Sequence, residues 1–247
     1  MLPSTYVAVI LLAFLSGATT LIGVLLALWF KKSVKAIVIG IGFSAGIMLA
    51  ISFFELVPEA VFATGKVSAV FALILGFVFL LIMHLLVPHM HFIEEKGKKA
   101  KLVRIGLLVA FGMILHDFPE GFAMANSYVY SPALGIFVAL AIAIHNIPEE
   151  FAISIPLVLV KKKWFLFKLA TLSALAEPFG AIVGLLLVSV APALNPAFMA
   201  FAAGAMIFVS IDELFPLAKE YKKPELFLVG IAISLVVYFG LSLIPGL

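Results

Sequence analysis

Two stretches of this chain carry the residues best suited to chemistry: His116-Asp117-Phe118-Pro119-Glu120-Gly121-Phe122-Ala123 and His145-Asn146-Ile147-Pro148-Glu149-Glu150-Phe151-Ala152. In each, a histidine and a glutamate stand four positions apart, so a helix stacks them on one face, one turn above the other. In each, a proline precedes the glutamate and should free the carbonyl four residues back, that of Leu115 or of Ile144. Glu177, followed by Pro178 and Gly180, adds a third acid in the same setting. All lie inside runs apolar enough to cross a bilayer, where ionisable groups are costly and mark ion or substrate paths. Asp117, Glu120, Glu149, Glu150 and Glu177 cannot all stay ionised there unless cations neutralise them, and no Lys or Arg falls at that depth. The alternative is protonation, but two imidazoles favour bound metal. Imidazole with carboxylate and no thiolate suits Zn²⁺, Fe²⁺ or Mn²⁺; Cu(I), Mg²⁺ and Ca²⁺ fit less well. The donors suffice for two metals, with Glu120 or Glu149 as a bridge.

The elements that position these groups follow from composition. The 247 residues are 65% hydrophobic and 12% charged, which excludes an ordinary soluble domain. Eight apolar runs fit, at 6–30, 34–63, 67–88, 103–127, 132–159, 164–191, 196–219 and 225–245. Each is near or above the ~20 residues a spanning helix needs. The reading is an all-α integral membrane protein, one eight-helix domain over 1–247, without a cleavable signal peptide. With no cysteine, disulfides and thiolate chemistry are excluded. Every Lys and Arg except Lys66 falls in or just beside alternate gaps, the densest being a basic loop over 89–102. Positive charge marks the cytoplasmic side, so both termini should lie outside. The lysines fit anionic lipid, and nothing suggests nucleic acid.

With that orientation, the fourth, fifth and sixth runs each deliver polar groups about halfway across. Three helices broken at one depth would be the way many secondary transporters build a substrate site. Glu55-Leu56-Val57-Pro58-Glu59-Ala60 in the second run also resembles Glu213-Leu214-Phe215-Pro216-Leu217-Ala218 in the seventh. Those runs point in opposite directions, as do the fourth and fifth. The pairing implies an inverted 3+2+3 arrangement about a pseudo-two-fold axis in the membrane plane. Glu55 and Glu59 then stand at the outer mouth, Asp212 and Glu213 at the inner one. They are candidate pathway groups, or simply acids meeting headgroups and helix ends. His84, His89 and His91 cluster at the inner end of the third run and its loop. Cytoplasmic metal contacts are one reading of them, solvated loop histidines the other.

Glycines in Gly40-Ile41-Gly42-Phe43-Ser44-Ala45-Gly46, and Gly17 and Gly23, should let the second and first runs pack closely on neighbours. The bland account of the duplicated motif is hydrogen-bonded packing, which the repetition and Glu177 oppose. A proton relay without metal is a further alternative. So is an intramembrane metalloenzyme. A zinc protease would need His-Glu-x-x-His and a di-iron site Glu-x-x-His pairs, and neither occurs.

At these residues the chain resembles the ZIP (Zrt/Irt-like) family of divalent metal transporters, nearest its ZupT/GufA-type branch. The family's His-Asn-x-Pro-Glu-Gly matches His116 to Gly121, and its fifth-helix counterpart matches His145 to Glu150. Ala176-Glu177-Pro178-Phe179-Gly180-Ala181 and Ser210-Ile211-Asp212-Glu213-Leu214 are also similar to that branch. The resemblance implies a transporter rather than an enzyme, in the plasma membrane, with metal bound as substrate and not as cofactor. It implies two metals, one on His116, Glu120, His145 and Glu149, the other on Asp117, Glu120, Asn146, Glu149 and Glu177, with Glu150 one layer out. Zn²⁺, Fe²⁺, Mn²⁺ and Cd²⁺ are the candidate ions. Homodimers are implied too, with alternating access in which the first, fourth, fifth and sixth helices move against the others. Two positions depart from the pattern. Asp117 replaces the usual Asn, adding a charge suited to a harder or second cation, and Glu150 replaces the branch's Gly.

Overall fold

The computed structural model describes residues 2–30, 33–86, 98–158 and 163–246. Its long elements are all helices: α1 (Pro3–Trp29), α2 (Val34–Thr64), α3 (Lys66–Leu86), α4 (Lys98–Tyr130), α5 (Pro132–Val158), α6 (Lys163–Val190), α7 (Pro192–Glu220) and α8 (Pro224–Ser242). In hydrocarbon a backbone must satisfy its polar groups within itself, and runs this apolar can do so only as helix. Seven of these helices are, among the described residues, long and apolar enough to cross a membrane; α4, 33 residues long, is the eighth. Its start at Lys98 is the largest departure from the boundaries read in the sequence. Of the basic loop expected over 89–102, residues 89–97, with His89 and His91, lie outside the described residues.

The helices are not uniform rods. Pro119 and Pro148 were expected to break their helices, yet α4 and α5 run through them as continuous α-helix. A single lost bond is tolerated where neighbouring helices pack around it. The third expected break is real: α6 is interrupted at Leu175, three residues before Pro178, whose missing N–H would have bonded Ala174. Breaks also fall where none was expected. α1 is interrupted at Thr19, where the Thr19 and Thr20 hydroxyls donate to the Ser16 and Gly17 carbonyls at 2.6 and 2.8 Å. α2 widens to π-helix over Ile51–Leu56 and α7 over Ser210–Leu214, each followed two residues later by a proline. Pro58 and Pro216 cannot donate to the carbonyls of Phe54 and Asp212, and the chain shifts to the wider turn: Val57 N–H bonds Ser52 and Phe215 N–H bonds Ser210.

The strongest packing is α4 on α6, α2 on α8, α1 on α5, α2 on α7 and α3 on α7, followed by α1 on α6, with α2 on α5, α7 on α4 and α4 on α5 closing the middle. The spanning stretches of α2 and α7 are 72% and 67% buried against 22% for α3 and α8, so the last two are the periphery. The glycines expected to allow close approach do so. Gly42 and Gly46 meet Phe227 and Ser234 of α8, Gly17 meets Ala174 of α6, and Gly23 meets Ile147 of α5. One pair matters for the site. Gly121 of α4 lies on the Glu177 carbonyl and Gly180 of α6 on that of Phe118, so a Cβ at either would push α6 and Glu177 away.

Candidate metal centre

α4 and α5 pack with their duplicated motifs face to face. His116 Nε2 meets Glu149 Oε1, and His145 Nε2 lies 3.0 Å from Glu120 Oε1, so each helix gives its imidazole to the other's carboxylate. Within each helix the one-turn spacing keeps the pairs near as well, His116–Glu120 at 3.7 Å and His145–Glu149 at 3.9 Å. All four side chains are buried. The rings are aimed from behind, as metal-binding imidazoles usually are. His145 Nδ1 lies 3.1 Å from the Ala141 carbonyl, to which it donates when its Nε2 is left as acceptor. His116 Nδ1 lies 3.6 Å from Glu213 Oε2. Ser44 of α2 donates to the His145 carbonyl at 2.9 Å, tying the motif to a third helix.

The residues next to each histidine, about 100° round the helix, turn towards α6. Asn146 Nδ2 donates to Glu177 Oε1 at 2.7 Å, and Ser173 donates to Asp117 Oδ2. Glu150 accepts a hydrogen bond from Ser154 at 2.6 Å and lines the edge of the site. A cavity of about 30 Å³, room for about one water, is bounded by His116, Asp117, Asn146, Glu149, Glu150 and Glu213.

Charge balance separates this arrangement from ordinary packing. Glu120, Glu149 and Glu177 each keep one buried carboxylate oxygen, Oε2, with no hydrogen-bond partner. Among the described residues every ion pair uses a histidine, and none uses Lys or Arg. Buried acids left so are expensive unless a cation joins them. His116, Glu120 and Glu149 offer ligand atoms all within 4.8 Å of one another, the one such group among the described residues. Tetrahedral metal–ligand bonds of about 2.0–2.2 Å set ligand atoms about 3.3–3.6 Å apart, the scale of the His116–Glu120 and His145–Glu120 separations, 3.7 and 3.0 Å. Of the five donors expected for a second metal, Asn146 and Glu177 are brought together by their hydrogen bond, while Asp117 is bonded to Ser173.

The outlying groups sort to two ends. On the side of Asp212 and Glu213, His84 of α3 stands 3.5 Å from Asp212 Oδ2 and 3.9 Å from Glu213 Oε1. His84, one of the three histidines read as cytoplasmic metal contacts or solvated loop, is thus half-exposed beside the acids of α7, which in turn reach His116. On the other side Glu59 accepts from Tyr130 at 2.9 Å, and Glu55 accepts from Tyr238. Sequence reading missed Ser173 and both tyrosines. Their only signal was a hydroxyl inside an apolar run, which many packing serines and tyrosines share.

The chain matches the ZIP zinc transporter family over residues 88–246. It is 38% identical over 257 residues to the zinc transporter ZupT of Chlorobium limicola, covering 94% of this chain and 96% of that protein. To ZupT of Streptococcus mutans it is 37% identical over 250 residues, 92% and 93% covered. To ZupT of Chlorobium phaeovibrioides it is 39% identical over 257 residues, 95% and 96% covered. A bilayer-length helical bundle, the crossed His/Glu pairs and relatives alike along nearly their whole length agree, and the chain belongs to the ZIP family.

Proposed function

We propose that this protein carries divalent transition-metal ions, zinc foremost, across the plasma membrane towards the cytoplasm. The observation that carries the reading is the crossed pairing of His116 with Glu149 and His145 with Glu120, buried beside three carboxylate oxygens that lack partners. His116, Glu120, His145 and Glu149 hold one ion. A second ion recruits Asp117, Asn146 and Glu177, with Glu120 and Glu149 as bridges, once Asp117 releases Ser173. Zinc is the ion in the relatives' names; Fe²⁺, Mn²⁺ and Cd²⁺ are rivals to be tested against it.

The path follows from the acids at the two ends. Glu55 and Glu59 at the outer mouth attract the ion, and imidazole and carboxylate replace its water at the centre. Glu213, His84 and Asp212, each within 4 Å of the next donor, lead it inward from His116. The lysine distribution supports this orientation, with both termini outside. The inverted 3+2+3 relation of eight spans draws support from paired contacts: α2 on α8 matches α7 on α3, α1 on α5 matches α6 on α4, and α2 on α5 matches α7 on α4. It draws support also from the breaks at Thr19 and Leu175 and from the π-helical turns of α2 and α7. Alternating access then consists of α1, α4, α5 and α6 moving against α2, α3, α7 and α8, within a homodimer.

Protein reconstituted in liposomes should pass zinc into a dye-filled lumen, and His145→Ala or Glu149→Ala should reduce the rate at least tenfold while the protein stays folded. Unaltered flux in both variants would remove the site assignment, and no flux in the parent under a zinc gradient would remove transport itself.

A further inference from the structure

The helix that presents His145 and Glu149 to the metal has an opposite face. Ile144, Ile147, Pro148 and Phe151, spaced i, i+3, i+4 and i+7, form an apolar stripe on its back. Facing it, Ala36, Ile39, Gly40 and Phe43 of α2 repeat the same spacing. The two stripes come close where Gly40 approaches Pro148, so that a Cβ would lie 3.0 Å from the Pro148 carbonyl oxygen. Beside it lies a groove of about 550 Å³, lined also by Leu26 of α1 and by Phe30 just beyond its end, and by no polar side chain. Ala36 to Phe43 is two turns, so the groove runs about 10 Å along the helices.

One end of the groove carries two markers of the membrane–water boundary. Trp29, next to the lining residue Phe30, is 78% exposed, as interfacial tryptophans are. Lys35, exposed and next to the lining residue Ala36, supplies positive charge at that level. From Leu26 to Phe43 the sequence holds three lysines and no acid. An apolar slot between spanning helices with a basic rim at its cytoplasmic end has the form of a site for an anionic lipid.

We propose that this groove holds an acyl chain of an anionic phospholipid of the inner leaflet, with its headgroup at Lys35. The chain lies between α2 and α5 against the residues that back the metal motif, and the headgroup charge selects it from the neutral lipids of the same leaflet. The volume fits a single bound small-molecule chain, within the ~300–1,000 Å³ usual for such pockets. This goes beyond metal transport and does not depend on it; of the reading above it uses only the orientation that the lysines set.

The test is native mass spectrometry of the purified full chain, delipidated and titrated with phosphatidylglycerol or phosphatidylcholine of identical acyl chains. The parent should retain phosphatidylglycerol at least roughly fivefold better than phosphatidylcholine, and Lys35→Glu should remove most of that preference. Ala36→Trp, which fills the groove, should lose the tightly held lipid of either kind while its melting temperature and zinc binding stay unchanged. Equal retention of the two lipids by the parent, or a preference that survives Lys35→Glu, overturns the proposal. A disulfide between two copies of an Ile39→Cys protein would overturn it too, because the groove would then be filled by a second copy of the chain. If Ala36→Trp does not fold, Lys35→Glu, an exposed position, decides the matter alone.

Discussion

The π-helical turns of α2 and α7 share the sequence Glu-Leu-x-Pro, yet their glutamates have different partners. Glu213 reaches the buried His116 at 3.6 Å and His84 at 3.9 Å, so one end of the molecule is joined to the metal centre by polar side chains. Glu55 is taken up by the Tyr238 hydroxyl, and Glu59, one turn on, by Tyr130. No hydrogen bond or ion pair found among the described residues connects either to His145. The two ends of a nearly symmetric bundle therefore differ in company rather than in architecture. The structure is one with the Asp212–Glu213 end linked to the site and the Glu55–Glu59 end held off by phenols. Tyr130 bonds across from α4 to α2, the two groups proposed to move, whereas Tyr238 and Glu55 belong to the same group.

This contrast sets an order of effects. The centre is common to both ends, so replacing both His116 and His145 with Ala should lower zinc affinity by more than ~100-fold in calorimetric titration. Glu213→Gln comes next. It removes a charged partner from the line of donors that leads away from His116 and should slow liposomal flux about tenfold, since contacts to charged groups contribute ~1.5–3 kcal/mol. Tyr130→Phe deletes one bond that holds the adjoining ends of α4 and α2 together, worth about 1 kcal/mol. The expected result is a KM for zinc lowered about fivefold with little change in melting temperature. Glu55→Gln should be the mildest, about twofold on flux, because its partner is a tyrosine of its own group. A cost at Glu55 equal to that at Glu213 would erase the distinction between the two ends.

Much of the centre was legible in the sequence because its signal is local. A histidine and a glutamate four apart on an apolar helix face one way whatever surrounds them, and the duplication doubled the information. The eight helices were legible because hydrocarbon leaves the backbone no alternative to helix. Proline misled in both directions. Pro119 and Pro148 were read as breaks and are spanned by continuous helix, while Pro58 and Pro216 widened the turns before them, which the same logic would have found if applied there. His84 beside Asp212 was not legible, since 128 positions separate them and only the packing of α3 on α7 joins them. The Tyr–Glu pairs were hidden likewise by packing between distant helices. Ser173, the hydrogen-bond donor to Asp117, was not legible either, since only the packing of α6 on α4 brings the two together.

The central claim is that imidazole and carboxylate from α4 and α5 bind metal together. X-ray absorption at the zinc edge on zinc-loaded protein tests it most directly. The account requires a first shell of nitrogen and oxygen at about 2.0–2.2 Å, with imidazole outer-shell scattering that disappears in the His116→Ala, His145→Ala protein. Stoichiometric zinc with the same spectrum in both proteins would contradict it.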